Sequence, residues 1–264
     1  MTKELRINTG KTEFRVLIDG AESLPWLTCL HSLATRAELW DDQIEVLTQT
    51  FRVLRIDARG HGGSAAPEEP YDFDQLAQDV VDIWDHLGIE KSAVLGLSMG
   101  GMTAFGLALD HSRRVTRIVA ADCRADAPEF FREMWTKRQD LLAEQGIEAI
   151  TDVTIPTWLT EETRHARPDL VERVRRMILD TPPVGYVGAT EALRKLDYKR
   201  RLGDIKCPVT LIVGAADGVH PVEMRSMAEA IPGVSFIEIP DAAHLANLEQ
   251  PEAFNKAIRA ALVG

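Results

Sequence analysis

The sequence predicts an α/β fold: a mostly parallel central sheet with helices on both faces and a helical segment inserted between two of its strands. Three observations lead there. Short β-branched or apolar runs alternate with amphipathic helical periods, as in a parallel sheet covered on both sides. The run ending at Leu97 passes straight into a helical run through Gly96-Leu97-Ser98-Met99-Gly100, a Gly-x-Ser-x-Gly turn that holds its serine above a strand end. Between about Arg124 and Asp197 the alternation stops, and the chain becomes charged, helical and punctuated by Pro128, Pro156, Pro168 and Pro182-Pro183. The expected organisation is therefore a core over residues 1–123, a helical lid over 124–196, and a second part of the core over 197–264.

In chain order, Leu5 to Ile18 reads as an antiparallel hairpin at a sheet edge, turning through Asn8-Thr9-Gly10-Lys11. Trp26 to Leu30 is a buried strand that runs into His31-Ser32-Leu33-Ala34, and a helix is expected over 36–48. The strand Phe51 to Ile56 ends in Asp57-Ala58-Arg59-Gly60-His61-Gly62-Gly63-Ser64. These glycines do not have the spacing of a phosphate-cradling loop and read as a tight turn. Asp72 with Gln75 resembles a capping box opening the helix Phe73 to Leu87, whose Leu76, Val80, Ile83, Trp84 and Leu87 share one face, and Gly88 closes it. A strand over 93–97, a helix over 99–109 and a strand over 115–121 follow. The sheet resumes at Val209 to Val213 and Val234 to Ile239, and a last helix spans about 251–262.

Composition narrows the function classes. At 264 residues, 45% hydrophobic and 27% charged, the chain can bury a full core, and its net charge of −11 argues against nucleic acid or an anionic membrane as a partner. Cys29, Cys123 and Cys207 are far apart, with neither zinc-ligand nor disulfide-framework spacing. No run approaches the roughly 20 apolar residues that span a bilayer, and Met1 to Leu5 lack the apolar region of a leader. The expectation is a cytoplasmic protein without metal or cofactor.

Serine is a weak nucleophile at neutral pH and needs an imidazole to take its proton, with a carboxylate to fix the imidazole's tautomer. Ser98, Asp217 and His244 each follow a β-like run at one edge of the predicted sheet. Of the seven histidines, His86, His111 and His165 lie in contexts without a catalytic partner, and His31 and His61 read as structural hydrogen bonders. His220 follows Asp217 too closely to share the role of His244. Asp122 competes with Asp217 for the acid, since it also ends a strand and preserves the chain order; Asp217 is preferred because Gly214 to Asp217 forms a tight strand-end turn. Asp241 reads as shaping its loop. Trp135, Trp158, Met134 and Tyr186 are candidate pocket walls, and Arg124, Lys137 and Arg138 are candidate cations for a substrate carboxylate.

Three segments carry a resemblance. They are Phe51-Arg52-Val53-Leu54-Arg55 with Asp57-x-Arg59-Gly60-His61-Gly62-x-Ser64, then Gly96-Leu97-Ser98-Met99-Gly100-Gly101-Met102, and Ala243-His244-Leu245-Ala246-Asn247-Leu248-Glu249-Gln250-Pro251. With Ser, Asp and His in that chain order, the sequence is similar to the α/β-hydrolases, and within them to the 3-oxoadipate enol-lactonases. The resemblance implies a serine hydrolase acting on a small ester or lactone through an acyl-enzyme, with backbone amides of Leu33 and Met99 forming the oxyanion hole. Two departures stand out: Ala34 replaces a glycine of the oxyanion loop, and Ala121-Asp122-Cys123-Arg124 replaces an Asn-Thr-Ala-like segment. A cofactor-free haloperoxidase-like enzyme, a C–C bond hydrolase and a slow-turnover ligand-binding protein are the alternatives on the same fold.

Overall fold

Parallel strands need a long crossover between them, and helices supply it along most of this chain. The computed structural model describes residues 2–263; Met1 and Gly264, the outer limits of the expected core segments, lie outside them. The strands are β1 (Lys3–Asn8), β2 (Glu13–Asp19), β3 (Trp26–Leu30), β4 (Arg52–Ile56), β5 (Ser92–Leu97), β6 (Val115–Ala121), β7 (Val209–Gly214) and β8 (Ser235–Ile239). They form one sheet in the order β1-β2-β4-β3-β5-β6-β7-β8. The β1–β2 hairpin is antiparallel and joins β4 antiparallel, as its edge position requires; every other pairing is parallel. Strands β5 and β7 are buried along their whole length because helices cover both faces.

The helix expected over 36–48 divides into a 3-10 turn at Ala37–Trp40 and the helix α1 (Asp41–Leu47). The cause is tertiary. The N–H of Ala37 donates to Asp57 Oδ1 at 2.7 Å, and Arg55 holds both the Ala37 carbonyl and the Asp41 carboxylate, so the first turn is tied to the end of β4. Helix α2 (Phe73–Leu87) is capped as its sequence predicts, with Asp72 Oδ1 accepting from the N–H of Gln75 and Gly88 in the left-handed region. Helix α3 (Met99–Asp110) is buried through Ala108, on the sheet side and the helix side alike.

The turn after β4 is organised by Asp57, which accepts from Arg15 at 3.0 Å and from the N–H of Gly63 at 2.8 Å. His31 and His61 are structural, as expected. His31 Nε2 accepts from the N–H of Ala58, and burial pushes His61 down to about 3, with His31 adding to the effect.

Four helices stand between β6 and β7: α4 (Glu129–Trp158), α5 (Glu161–Ala166), α6 (Pro168–Leu179) and α7 (Pro183–Arg194). Helix α4 is broken at Gly146, whose φ of 81° is outside the helical region. Where this segment leaves and rejoins the core, Asp126 pairs with Asp197 in an isolated antiparallel bridge, and Tyr71 Oη donates to the Gly185 carbonyl. The chain ends with α8 (His220–Ala230), α9 (Ala246–Glu249) and α10 (Pro251–Val263). Among the described residues no helix is long and apolar enough to cross a membrane.

Candidate active site

Ser98 sits where β5 turns into α3, at φ 53° and ψ −115°, a conformation that L-residues rarely adopt and that the turn must enforce. The enforcement is steric: a Cβ on Gly96 would lie 2.2 Å from the Gly100 carbonyl oxygen, and one on Gly100 would lie 2.1 Å from that of Leu30. Only glycine lets strand and helix approach this closely. The N–H of Ser98 donates to the Ala121 carbonyl at the end of β6, fixing the turn to its neighbour strand. Met99 opens α3, so its N–H has no acceptor within the helix. Leu33, from the loop after β3, reaches the same cavity as Ser98. Ala34 next to it takes φ 52°, the conformation a glycine would favour, so the loop turns as a glycine loop would at a cost of roughly 1–2 kcal/mol.

The other strand ends deliver the remaining groups. The N–H of Ala216 donates to the Ala242 carbonyl, which ties the loop after β7 to the loop after β8. Across that junction His244 Nδ1 lies 2.9 Å from Asp217 Oδ2. The His244 ring stacks on Trp158 with centroids 5.7 Å apart. The polar residues after His244 hold its loop: Glu249 accepts from the N–H groups of Ala243 and Thr160, and Asn247 donates to the Leu39 carbonyl and to Gln43. Burial alone would raise the Asp217 carboxyl, but His244 and His220 outweigh it and hold the group well below the usual carboxylate range.

A cavity of about 160 Å³ opens above Ser98, bounded by Leu33, Phe131, Trp135, Trp158 and Tyr186, with Asp217, His220 and His244 at one side. It holds roughly five waters' worth of space. Arg138 is the one Arg or Lys lining it among the described residues. No carboxylate of the described residues pairs with its guanidinium, which bonds Thr154 Oγ1 and the Val153 carbonyl instead. Burial pushes Tyr186 up to about 12, with Arg138 opposing the shift.

The model of the alpha/beta hydrolase fold matches residues 25–251, from the start of β3 to the first residue of α10. The chain belongs to the alpha/beta hydrolase family. It is 34% identical to 3-oxoadipate enol-lactonase 2 of Acinetobacter baylyi, over 92% of this chain and 90% of that one. The crystal structure of the enol-lactonase from Burkholderia xenovorans superposes with a TM-score of 0.93 at 33% identity, covering 98% of this chain and all of the other. A malate-bound thermophilic esterase from Thermogutta terrifontis superposes at 0.88 with 31% identity, over 98% of this chain and 97% of the esterase.

In this alpha/beta hydrolase all four candidate wall residues reach the cavity, and of the three candidate cations only Arg138 does. Trp135, Trp158 and Tyr186 line the cavity, as does Met134. Arg124 does not. Its guanidinium is buried against the Phe131 ring at 4.1 Å and bonds Glu223 Oε1 at 3.0 Å and the Asp126 carbonyl, so it is a support behind the wall. Lys137 lies on an outer groove next to the cavity. Asp122, the competing acid, ends β6 with its Oδ1 accepting from the N–H of Gly214 at 2.7 Å. Burial and the charge of Asp217 raise its carboxyl well above the usual range, which favours the neutral form.

His220 departs most from the sequence reading. Its Nδ1 lies 3.2 Å from the same Asp217 Oδ2 that bonds His244, because the turn over 217–220 that leads into α8, closed by the N–H of His220 on the Asp217 carbonyl at 2.9 Å, brings the two side chains together. Asp217, His220 and His244 thus form the one cluster of three ligand-type side chains among the described residues, with donor atoms within 4.8 Å of one another. Both Nδ1 atoms are engaged by the carboxylate, so hydrogen bonding accounts for the cluster without a metal ion.

Proposed function

We propose that this alpha/beta hydrolase is a serine hydrolase that opens a small, carboxylate-bearing lactone, with 3-oxoadipate enol-lactone as the leading substrate. The reading rests on one observation: Ser98, strained at the β5–α3 turn, shares a cavity with a His244 that is hydrogen-bonded through Nδ1 to Asp217. Ser98 Oγ attacks the lactone carbonyl while His244 Nε2 takes its proton, and Asp217 stabilises the imidazolium. The N–H groups of Leu33 and Met99 receive the developing oxyanion, each such donor lowering the barrier by about 2.7–4 kcal/mol. The ring C–O bond breaks, His244 returns the proton to the leaving oxygen, and the acyl-enzyme is hydrolysed by water activated by the same imidazole. The helices over 124–196 act as the lid that closes the cavity and excludes water. A reducing, cytoplasmic setting belongs to this reading and is supported by three unpaired cysteines.

Substrate class follows from the walls. A cavity of about 160 Å³ with aromatic sides suits a small ring, and Arg138, unpaired by carboxylates among the described residues, supplies the positive charge an anionic substituent needs in a protein of net charge −11. The relatives named enol-lactonase at 33–34% identity point the same way. The test is kcat/KM across neutral aryl esters, neutral lactones and 3-oxoadipate enol-lactone. The anionic lactone is expected to lead the panel; a preference for neutral esters overturns the assignment. Replacing Arg138 with Met is expected to cost roughly 10- to 150-fold in kcat/KM on the anionic lactone, the worth of a hydrogen bond to a charged group, and far less on a neutral ester. Equal losses on both would make Arg138 a packing residue.

A further inference from the structure

Asp217 does more than hold one imidazole. Its Oδ2 sits between two histidines, His244 Nδ1 at 2.9 Å and His220 Nδ1 at 3.2 Å, whose ring centroids are 5.4 Å apart. Asp217 is deeply buried, while the His220 side chain keeps 19% of its surface and lines the cavity, so it is open to proton exchange through the cavity.

We propose that His220 is a positioning residue coupled to the base: sharing Asp217 Oδ2 with His244, it anchors the carboxylate, and a proton taken up by either ring removes the charge state in which the site works. The proposal rests on the serine hydrolase reading given above. In the working state both rings are neutral and Asp217 is ionised, ready to stabilise the imidazolium that forms on His244 as Ser98 attacks. A proton on His244 removes the base. A proton on His220 leaves the base in place but spends the Asp217 charge on a second cation 5.4 Å away, which opposes formation of the His244 imidazolium. The pair therefore loses activity on its first proton, wherever that proton resides.

The groups around His220 decide where that happens. Burial would push its imidazole down. Asp217 as acceptor for Nδ1–H, the Asp217 charge and Glu223 on its own helix outweigh burial and raise it, while Arg124, from the segment after β6, opposes them. Asp122, also after β6, has its carboxyl raised by burial and the Asp217 charge, which weakens its pull on His220. His244 faces His220 from the loop after β8. The carboxylate beside its Nδ1 thus favours the protonated form of His220. The wild-type acid limb must then lie at higher pH than that of a site with His244 alone.

The experiment is the pH dependence of kcat/KM from pH 5.5 to 9 for wild type and His220→Gln, on a neutral aryl ester so that no substrate carboxylate enters the titration. Glutamine keeps a donor for Asp217 and removes the proton site. The expected result is a downward shift of the acid limb in the variant, with the ratio of variant to wild-type kcat/KM rising about threefold or more between pH 8.5 and pH 6. A ratio constant across pH makes His220 a purely structural contact and overturns the proposal. A second readout needs no catalysis: with 13C-labelled histidine, the wild-type His220 and His244 resonances are expected to show each other's protonation as a second inflection, and independent single titrations overturn the coupling. Wild type inactive on every ester and lactone would instead sink the hydrolase reading, and the spectroscopic titration would still decide the histidine pair.

Discussion

Ser98→Ala is expected to lower kcat on the best lactone or ester by roughly 10⁴- to 10⁶-fold while leaving the fold in place, because removing a serine nucleophile costs about as much as removing the whole triad. The variant should still fold. The strain at φ 53° is imposed by the close approach of Gly96, Gly100 and the Leu30 carbonyl, and alanine meets it as serine does. Among the described residues the Ser98 hydroxyl makes no hydrogen bond that holds the turn, which is held by the backbone N–H and C=O of Ser98. Melting temperatures of the two proteins should therefore agree within a few degrees. Intact-mass measurement with a slowly hydrolysed aryl ester adds a direct test, since wild type should gain the acyl mass and Ser98→Ala should not. Loss of less than tenfold, or an unchanged adduct, would remove Ser98 as the nucleophile. Oxygen- or peroxide-dependent chemistry that survives the substitution would favour the haloperoxidase-like reading.

Local signals made most of the frame legible. Gly-x-Ser-x-Gly located the β5–α3 turn because only glycine tolerates its backbone approach, and the strand-end positions of Asp217 and His244 followed from the alternation of strands and helices. The hairpin, the cap at Asp72 and the closing Gly88 are local too, and each was where the sequence predicted it. What the sequence hid depends on distant partners. The first turn of the 36–48 helix tightens because Asp57 and Arg55 pull on it from the end of β4. Arg124 looked like a free cation beside the pocket, yet Glu223, 99 residues further on, draws it behind Phe131. His220 was set aside for lying close to Asp217 in sequence, whereas the turn over 217–220 that leads into α8 makes that closeness a contact. Arg138 could not be separated from Lys137 by pattern alone, since neighbouring residues on a helix point to different surfaces.

Asp217→Asn is expected to cost roughly 10³- to 10⁴-fold in kcat, and its pairing with Asp122→Asn decides which carboxylate serves His244. An amide at position 217 no longer balances an imidazolium, and its N–H₂ group can turn His244 to the wrong tautomer. Asp122 is the one nearby group able to compensate. Burial and the Asp217 charge raise its carboxyl, and Asp217→Asn removes that charge and lets Asp122 ionise more readily. Geometry argues that ionisation alone will not restore function. Asp122 Oδ1 is committed to the N–H of Gly214, and among the described residues no hydrogen bond joins Asp122 to His244, whereas Asp217 meets the imidazole at 2.9 Å. The double variant should therefore be no slower than Asp217→Asn, and Asp122→Asn alone should stay within about threefold of wild type, since asparagine resembles the neutral acid it replaces. A double variant at least tenfold slower than Asp217→Asn would mean that Asp122 takes over as the orienting carboxylate, and that two strand ends, β6 and β7, can each carry the acid of this site.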